Sequence, residues 1–183
     1  MTRSVAMLLV PEFQMLDMAG PLSVFHIAAE MGRNRRGPAY ELAVLSERGG
    51  RVAFSAGIEI QTRPWRDSQA GTVIVPGGWG ARKLGAATPA LLQHLRGALA
   101  AKLRVASVCT GAFLLAEAGL LDGRRATTHW RQAGLLQRKY PAITVEADRI
   151  FVRDGNVWSS AGIAAGIDLA LAMVEADLGA EIA

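Results

Sequence analysis

Short apolar runs alternate with longer stretches of helical spacing along the chain. Ser4 to Val10 is an apolar run closed by Pro11, which signals a buried strand. Leu22 to Met31 has helical spacing, with Pro21 in its first turn and Gly32 as a stop. Tyr40 to Leu45 reads as a strand, and Val52 to Phe54 with Ile58 to Thr62 as a hairpin or two edge strands. Thr72 to Val75 is a short central strand running into Pro76-Gly77-Gly78. Thr88 caps a helix through about Lys102, with Pro89 at its first position. Leu103 to Val108 is another buried strand, and a helix opens right after Cys109 and ends at Gly119. His129 to Lys139 is helical. Ile143 to Val145, Ile150 to Val152 and Val157 to Ser159 are short strands, and Ala164 to Leu178 is an apolar helix. This alternation predicts an α/β fold: a parallel-rich central sheet with helices on both faces.

Composition narrows the class. A chain of 183 residues suits one domain over residues 1–183, and 51% hydrophobic with 20% charged residues suits a packed core rather than disorder. No apolar run reaches the roughly 18 residues of a membrane span. The apolar stretch Val5 to Val10 is too short for a secretory signal and lacks a cleavage site. A single cysteine excludes an internal disulfide and a four-cysteine zinc site. His26, His94 and His129 show no metal-ligand spacing. The expectation is a reduced, cytoplasmic, soluble domain with no metal and no cofactor. The net charge of +4 does not by itself indicate nucleic acid. Arg33, Arg35 and Arg36 sit in one loop, Arg124 and Arg125 follow a Gly turn, and no basic stripe or helix-turn-helix is visible.

The chemistry centres on Cys109. An apolar strand runs straight into it, and Gly111 and Ala112 let the next helix begin at once, as in the nucleophile elbow of hydrolases. A thiol there would meet the positive end of the helix and free N–H groups, which lower its pKa toward neutrality. The plain alternative is a buried cysteine acting as a small hydrophobe. Gly77 and Gly78 could turn their N–H groups inward and, with the Thr110 amide, form an oxyanion hole. A simple turn is equally open there, and Trp79 is either a pocket wall or a loop anchor. Asp17 has two readings: an N-cap ahead of the Pro21 helix, or an acid aimed at the pocket from the loop after the first strand. Nothing in the sequence places His129 near Cys109.

Taken together, Leu16-Asp17-Met18-Ala19-Gly20-Pro21, Val75-Pro76-Gly77-Gly78 and Ser107-Val108-Cys109-Thr110-Gly111-Ala112 carry a resemblance. So do Gly119 to Trp130 and Val157 to Gly162 running into Gly166-Ile167-Asp168. The chain resembles the ThiJ/PfpI superfamily, and within it the N-terminal domain of AraC-type (GlxA-like) transcriptional regulators. The resemblance implies a flavodoxin-like, class I glutamine-amidotransferase-like three-layer sandwich and a homodimer. It makes Cys109 the elbow cysteine, Asp17 the acid that meets it and Thr110 its neighbour, with Gly78, Ala161 and Gly162 lining the same pocket. Proteases of the superfamily carry His directly after the nucleophile; Thr110 stands there and disfavours peptidase activity.

The function this implies is ligand sensing: a small metabolite in a cleft over Cys109, with DNA contacted only through a C-terminal domain absent from this chain. The alternative is an isonitrile hydratase or related lyase, with Cys109 as nucleophile, Asp17 as acid/base and Thr110 positioning water or the adduct. Oxidation of the Cys109 thiol as a redox signal is a third reading.

Overall fold

The computed structural model describes residues 2–33, 37–67, 69–83 and 87–183. Strand β1 (Arg3–Leu8) lies at the centre of an eight-stranded sheet. On one side stand β2 (Tyr40–Ser46), β4 (Glu59–Pro64) and the edge strand β3 (Gly50–Ala53). On the other stand β5 (Thr72–Val75), β6 (Arg104–Val108), β10 (Val157–Ser160) and the edge strand β9 (Phe151–Asp154). The six inner strands run parallel, and only the edge pairs β3–β4 and β9–β10 are antiparallel. The expected α/β architecture with a parallel-rich sheet is therefore the observed one.

Alternation along β1 builds the two halves of the core. Val5, Met7 and Leu9 face α1 (Met15–Met31) and α5 (Ala165–Leu178) with Phe25, Leu169 and Met173. Ala6, Leu8 and Val10 face α2 (Pro89–Ala100) and α3 (Ala112–Glu117) with Leu91, Leu95 and Leu115. A strand covered on both sides must be apolar throughout, which is why β1 and β5 read as unbroken runs. The chain leaves β1 to build β2 on one side and returns to place β5 on the other. The order thus reverses between β1 and β5, and their carboxyl ends open the crevice where such sheets hold ligands.

Two departures from the sequence pattern matter. α1 begins at Met15, not at Leu22, so Pro21 sits inside the helix. Pro21 has no N–H for the Asp17 carbonyl, a loss that ordinarily ends a helix. Here packing outweighs propensity: Gly20 and Pro21 are buried, and Gly20 lies so close to α5 that a Cβ would meet Ile167 at 2.9 Å. The second departure is β7 (Arg125–Ala126), which pairs in parallel with β8 (Thr144–Val145). Two residues carry no readable periodicity, yet this strand delivers Thr127, Thr128 and His129 to α4 (Trp130–Lys139).

The arginine clusters of the sequence resolve into ion pairs. Arg33 pairs with Glu30 at 2.7 Å, Arg124 with Asp154 at 3.1 Å and Arg125 with Glu146 at 3.3 Å; Arg35 and Arg36 lie outside the described residues. Thr88 caps α2 as expected: its Oγ1 accepts from Leu91 N–H at 3.1 Å and donates to Glu47 at 3.0 Å. Thr88→Ala is expected to cost about 1 kcal/mol, read from urea unfolding, with the slope of the transition unchanged.

Candidate functional site

Cys109 directly follows β6 with φ +57°, the left-handed region that a side chain other than glycine rarely occupies. Both of its backbone groups are held. Its N–H donates to Ala161 O at 3.2 Å, and its carbonyl accepts from the buried Thr128 hydroxyl at 2.7 Å. Strain kept in place this way marks functional sites and turns the thiol out at the tip of a sharp bend. A single 3-10 turn, Cys109–Gly111, follows before α3, which has only six residues.

The thiol is not activated as the elbow alone suggests. Burial and the Asp17 carboxylate push its pKa up to about 12. The Thr110 N–H favours the thiolate but does not offset those two effects. The expected shift toward neutrality is thus reversed. Cys109 is 7% exposed, and the charge beside it has the same sign as a thiolate.

Asp17 lies in the first turn of α1 and is fully buried. Its Oδ1 accepts from the Ile163 N–H at 3.0 Å, while Oδ2 has no hydrogen-bond partner among the described residues. It is no helix cap: Gln14 occupies that position. Burial raises its pKa from 3.8 to about 6, against the lowering effects of the Ile163 amide, Cys109 and Gly77. Ile163 also adopts φ +58°, an outlier for a β-branched residue. Two strained residues therefore meet through one buried carboxyl.

Gly77 and Gly78 press β5 onto the elbow. A Cβ on Gly77 would lie 2.5 Å from Thr110 N and 2.9 Å from Asp17 Oδ2, so only glycine fits. The Thr110 hydroxyl accepts from Gly78 N–H at 2.8 Å and lies 3.0 Å from Gly78 O, to which it donates. This changes the expected oxyanion hole. The Gly78 N–H is already spent, and the Thr110 hydroxyl ties the loop instead of reaching outward. The Thr110 amide faces the Cys109 sulfur.

A cleft of about 290 Å³ opens above. Of the residues expected there, Cys109, Thr110, Gly78 and Trp79 line it. Trp79 is a wall, 65% exposed, with Arg82 stacked 5.6 Å from its ring centre. Gly77, Asp17, Ala161 and Gly162 form the support behind it. A Cβ on Gly162 would meet His129 Cδ2 at 2.5 Å and Cys109 Sγ at 3.2 Å.

That close packing shows what the sequence reading missed. His129 lines the same cleft as Cys109, capping α4. Its Nδ1 accepts from Arg131 N–H at 3.3 Å, which assigns the proton of the neutral ring to Nε2. In sequence it lies within the Gly119 to Trp130 segment of the resemblance, and the buried pair Thr127-Thr128 before it fixes the approach through bonds to Ser159 Oγ and Cys109 O. Among the described residues no three His, Cys, Asp or Glu side chains converge to hold a metal, and no helix is long and apolar enough to cross a membrane.

A strained cysteine beside the switch point of a flavodoxin-like sheet, met from the first turn of α1 by a buried acid, defines a class of elbow-cysteine α/β domains. The chain belongs to the DJ-1/PfpI family, whose family model matches residues 3–176. It is 36% identical over 185 residues to the isonitrile hydratase of Pseudomonas putida, with all of this chain and 75% of that protein covered. It is 33% identical over 187 residues to the HTH-type transcriptional regulator CdhR of Pseudomonas aeruginosa, and there it spans 53% of the relative's length. Among solved structures, an AraC family transcriptional regulator from Pseudomonas putida superposes with a TM-score of 0.85 at 22% identity, covering 98% of this chain and 95% of that one; that likeness supports the fold.

Proposed function

We propose that this domain senses a small metabolite in the cleft over Cys109 and, within an AraC-type regulator, passes that binding to a DNA-binding domain. The observation that carries the reading is the quiet chemistry of the cleft. Its thiol stays protonated at neutral pH, and the Thr110 hydroxyl beside it is bound on both sides to Gly78. Such a floor suits recognition better than turnover. Binding transmits a signal only if it favours one state of a dimer or of two linked domains over another. A homodimer is part of this proposal, as is contact with DNA through a separate domain.

A second reading is favoured by the unpartnered Asp17 Oδ2 beside the thiol and by the hydratase relative. In it the Cys109 sulfur adds to the isonitrile carbon while Asp17, titrating near pH 6, carries the thiol proton to that carbon; water then adds to the thioimidate and displaces the sulfur, releasing the formamide and restoring the thiol. Turnover of an isonitrile panel, measured alongside ligand-induced melting shifts for wild type and Cys109→Ala, separates the two. A saturable melting shift without turnover supports sensing. Turnover abolished by Cys109→Ala establishes the hydratase and overturns sensing as the primary role. Oxidation of Cys109 needs an accessible thiolate and is the least supported of the three readings.

A further inference from the structure

We infer that the cleft over Cys109 selects a small carboxylate, gripped at the rim by Arg82 and Arg131. The inference rests on the reading of that cleft as the ligand site and names the chemistry of its ligand. Both arginines line the cleft. Each guanidinium lies against an exposed indole: Arg82 on Trp79 at 5.6 Å, and Arg131 on Trp130 at 4.9 Å. An indole beside a guanidinium restrains it without using up its N–H donors, which match a planar, bidentate acceptor.

Neither arginine has a carboxylate partner among the described residues. Several cations elsewhere are paired, although Arg63, Arg138 and Arg153 also have no carboxylate partner among the described residues. Lys83, next to Arg82, is paired with Glu12, and Arg104 is paired with Asp177 at 2.6 Å. Among the described residues no Asp or Glu lines the cleft; the remaining polar lining comes from Gln14, Ser55, Gln132 and His129. Asp17 lies below the floor and is fully buried. The potential is therefore positive at the mouth and negative beneath the sulfur. A singly charged head at the rim with an uncharged body over Cys109 satisfies both, whereas a polyanion filling the cleft would press charge toward Asp17. A volume of about 290 Å³ keeps that body small.

The single cysteine makes the inference measurable. Iodoacetate and iodoacetamide alkylate by one reaction: the Cys109 sulfur bonds to the methylene carbon, the carbon–iodine bond breaks, and iodide leaves. They differ in charge, so the ratio of their rates at one pH cancels the thiol's ionisation. Intact mass counts one adduct on the full chain. For wild type, the iodoacetate/iodoacetamide ratio is expected to exceed that of glutathione in the same buffer by about tenfold, the scale of charge focusing in a cleft. It should fall to the glutathione value in the Arg82→Gln/Arg131→Gln double variant. Arg33→Gln, a surface cation paired with Glu30, should leave it unchanged. Butyrate should protect Cys109 from iodoacetamide, and butyramide at the same concentration should not. A wild-type ratio at or below that of glutathione, or one that the double substitution does not move, overturns the inference. Equal protection by butyrate and butyramide also overturns it while leaving the cleft a ligand site. Isonitrile turnover with a charge-selective ratio would remove the sensing reading and keep the carboxylate preference.

Discussion

Gly111→Ala is expected to destabilise the domain by about 4 kcal/mol, beyond the 1–3 kcal/mol usual for an overpacked core. A Cβ at Gly111 would lie 2.2 Å from Val75 O, 3.1 Å from Val75 C and 3.2 Å from Pro76 C. All three are backbone atoms, so no flexible side chain can move aside. Nor can β5 and β6 separate, because Val75 and Ser107 are partners in the parallel ladder just before the elbow. The midpoint of thermal unfolding should therefore drop by about 10 °C for a chain of this size. Gly97→Ala is the counterpart. In α2 a Cβ at that position meets nothing within 4 Å, and the helix should gain about 0.5–1 kcal/mol. Melting curves of the two variants check both. A Gly111→Ala protein melting within about 2 °C of wild type would mean that the elbow is not wedged against β5.

That glycine shows where sequence reading succeeds and where it stops. The run from Leu103 to Ala112 announces strand, bend and helix, and the elbow stands where the pattern puts it. The pattern explains Gly111 as an opener of the next helix; the structure gives it a different duty, close passage beside Val75, which is a tertiary distance that no spacing encodes. The same division recurs around the site. Parallel strands and two-sided helices were legible because burial on both faces leaves unbroken apolar runs. The start of α1 was not, because Pro21 obeys local propensity on paper and is overruled by packing on α5. His129 was not, because it reaches Cys109 through β7, a strand of two residues. The electrostatics of Cys109 are not legible in sequence for a physical reason. Elbow geometry is local and visible in sequence, whereas desolvation and the like charge of Asp17 depend on how completely the fold closes over the thiol.

Asp17→Asn is expected to stabilise the protein at pH 8 by about 2 kcal/mol and to change little near pH 4. The sign follows from the direction of the shift. In the folded chain burial raises the Asp17 carboxyl from 3.8 to about 6, so between those values the native state keeps a proton that the unfolded chain has released. Stability is then fullest below the unfolded pKa, declines as pH rises toward 6, and stays lower above it by about 3 kcal/mol. Asparagine is neutral throughout and still offers an oxygen to the Ile163 N–H, while an amide nitrogen replaces the unpartnered Oδ2; the lost fit trims the gain to about 2 kcal/mol. Glu30, Glu117 and Asp154, whose carboxyls are held low by their partners, titrate alike in both proteins. The difference between wild type and variant therefore isolates Asp17. Urea unfolding from pH 4 to 8 measures it. A variant less stable than wild type at every pH would make Asp17 a structural strut. The thiol supplies an independent readout: with the neighbouring charge gone, its pKa should fall from about 12, and iodoacetamide should alkylate Cys109 at pH 9 about tenfold faster. Stability and thiol reactivity rising together would show that the buried carboxylate is kept at a cost to the fold, as groups held for function are.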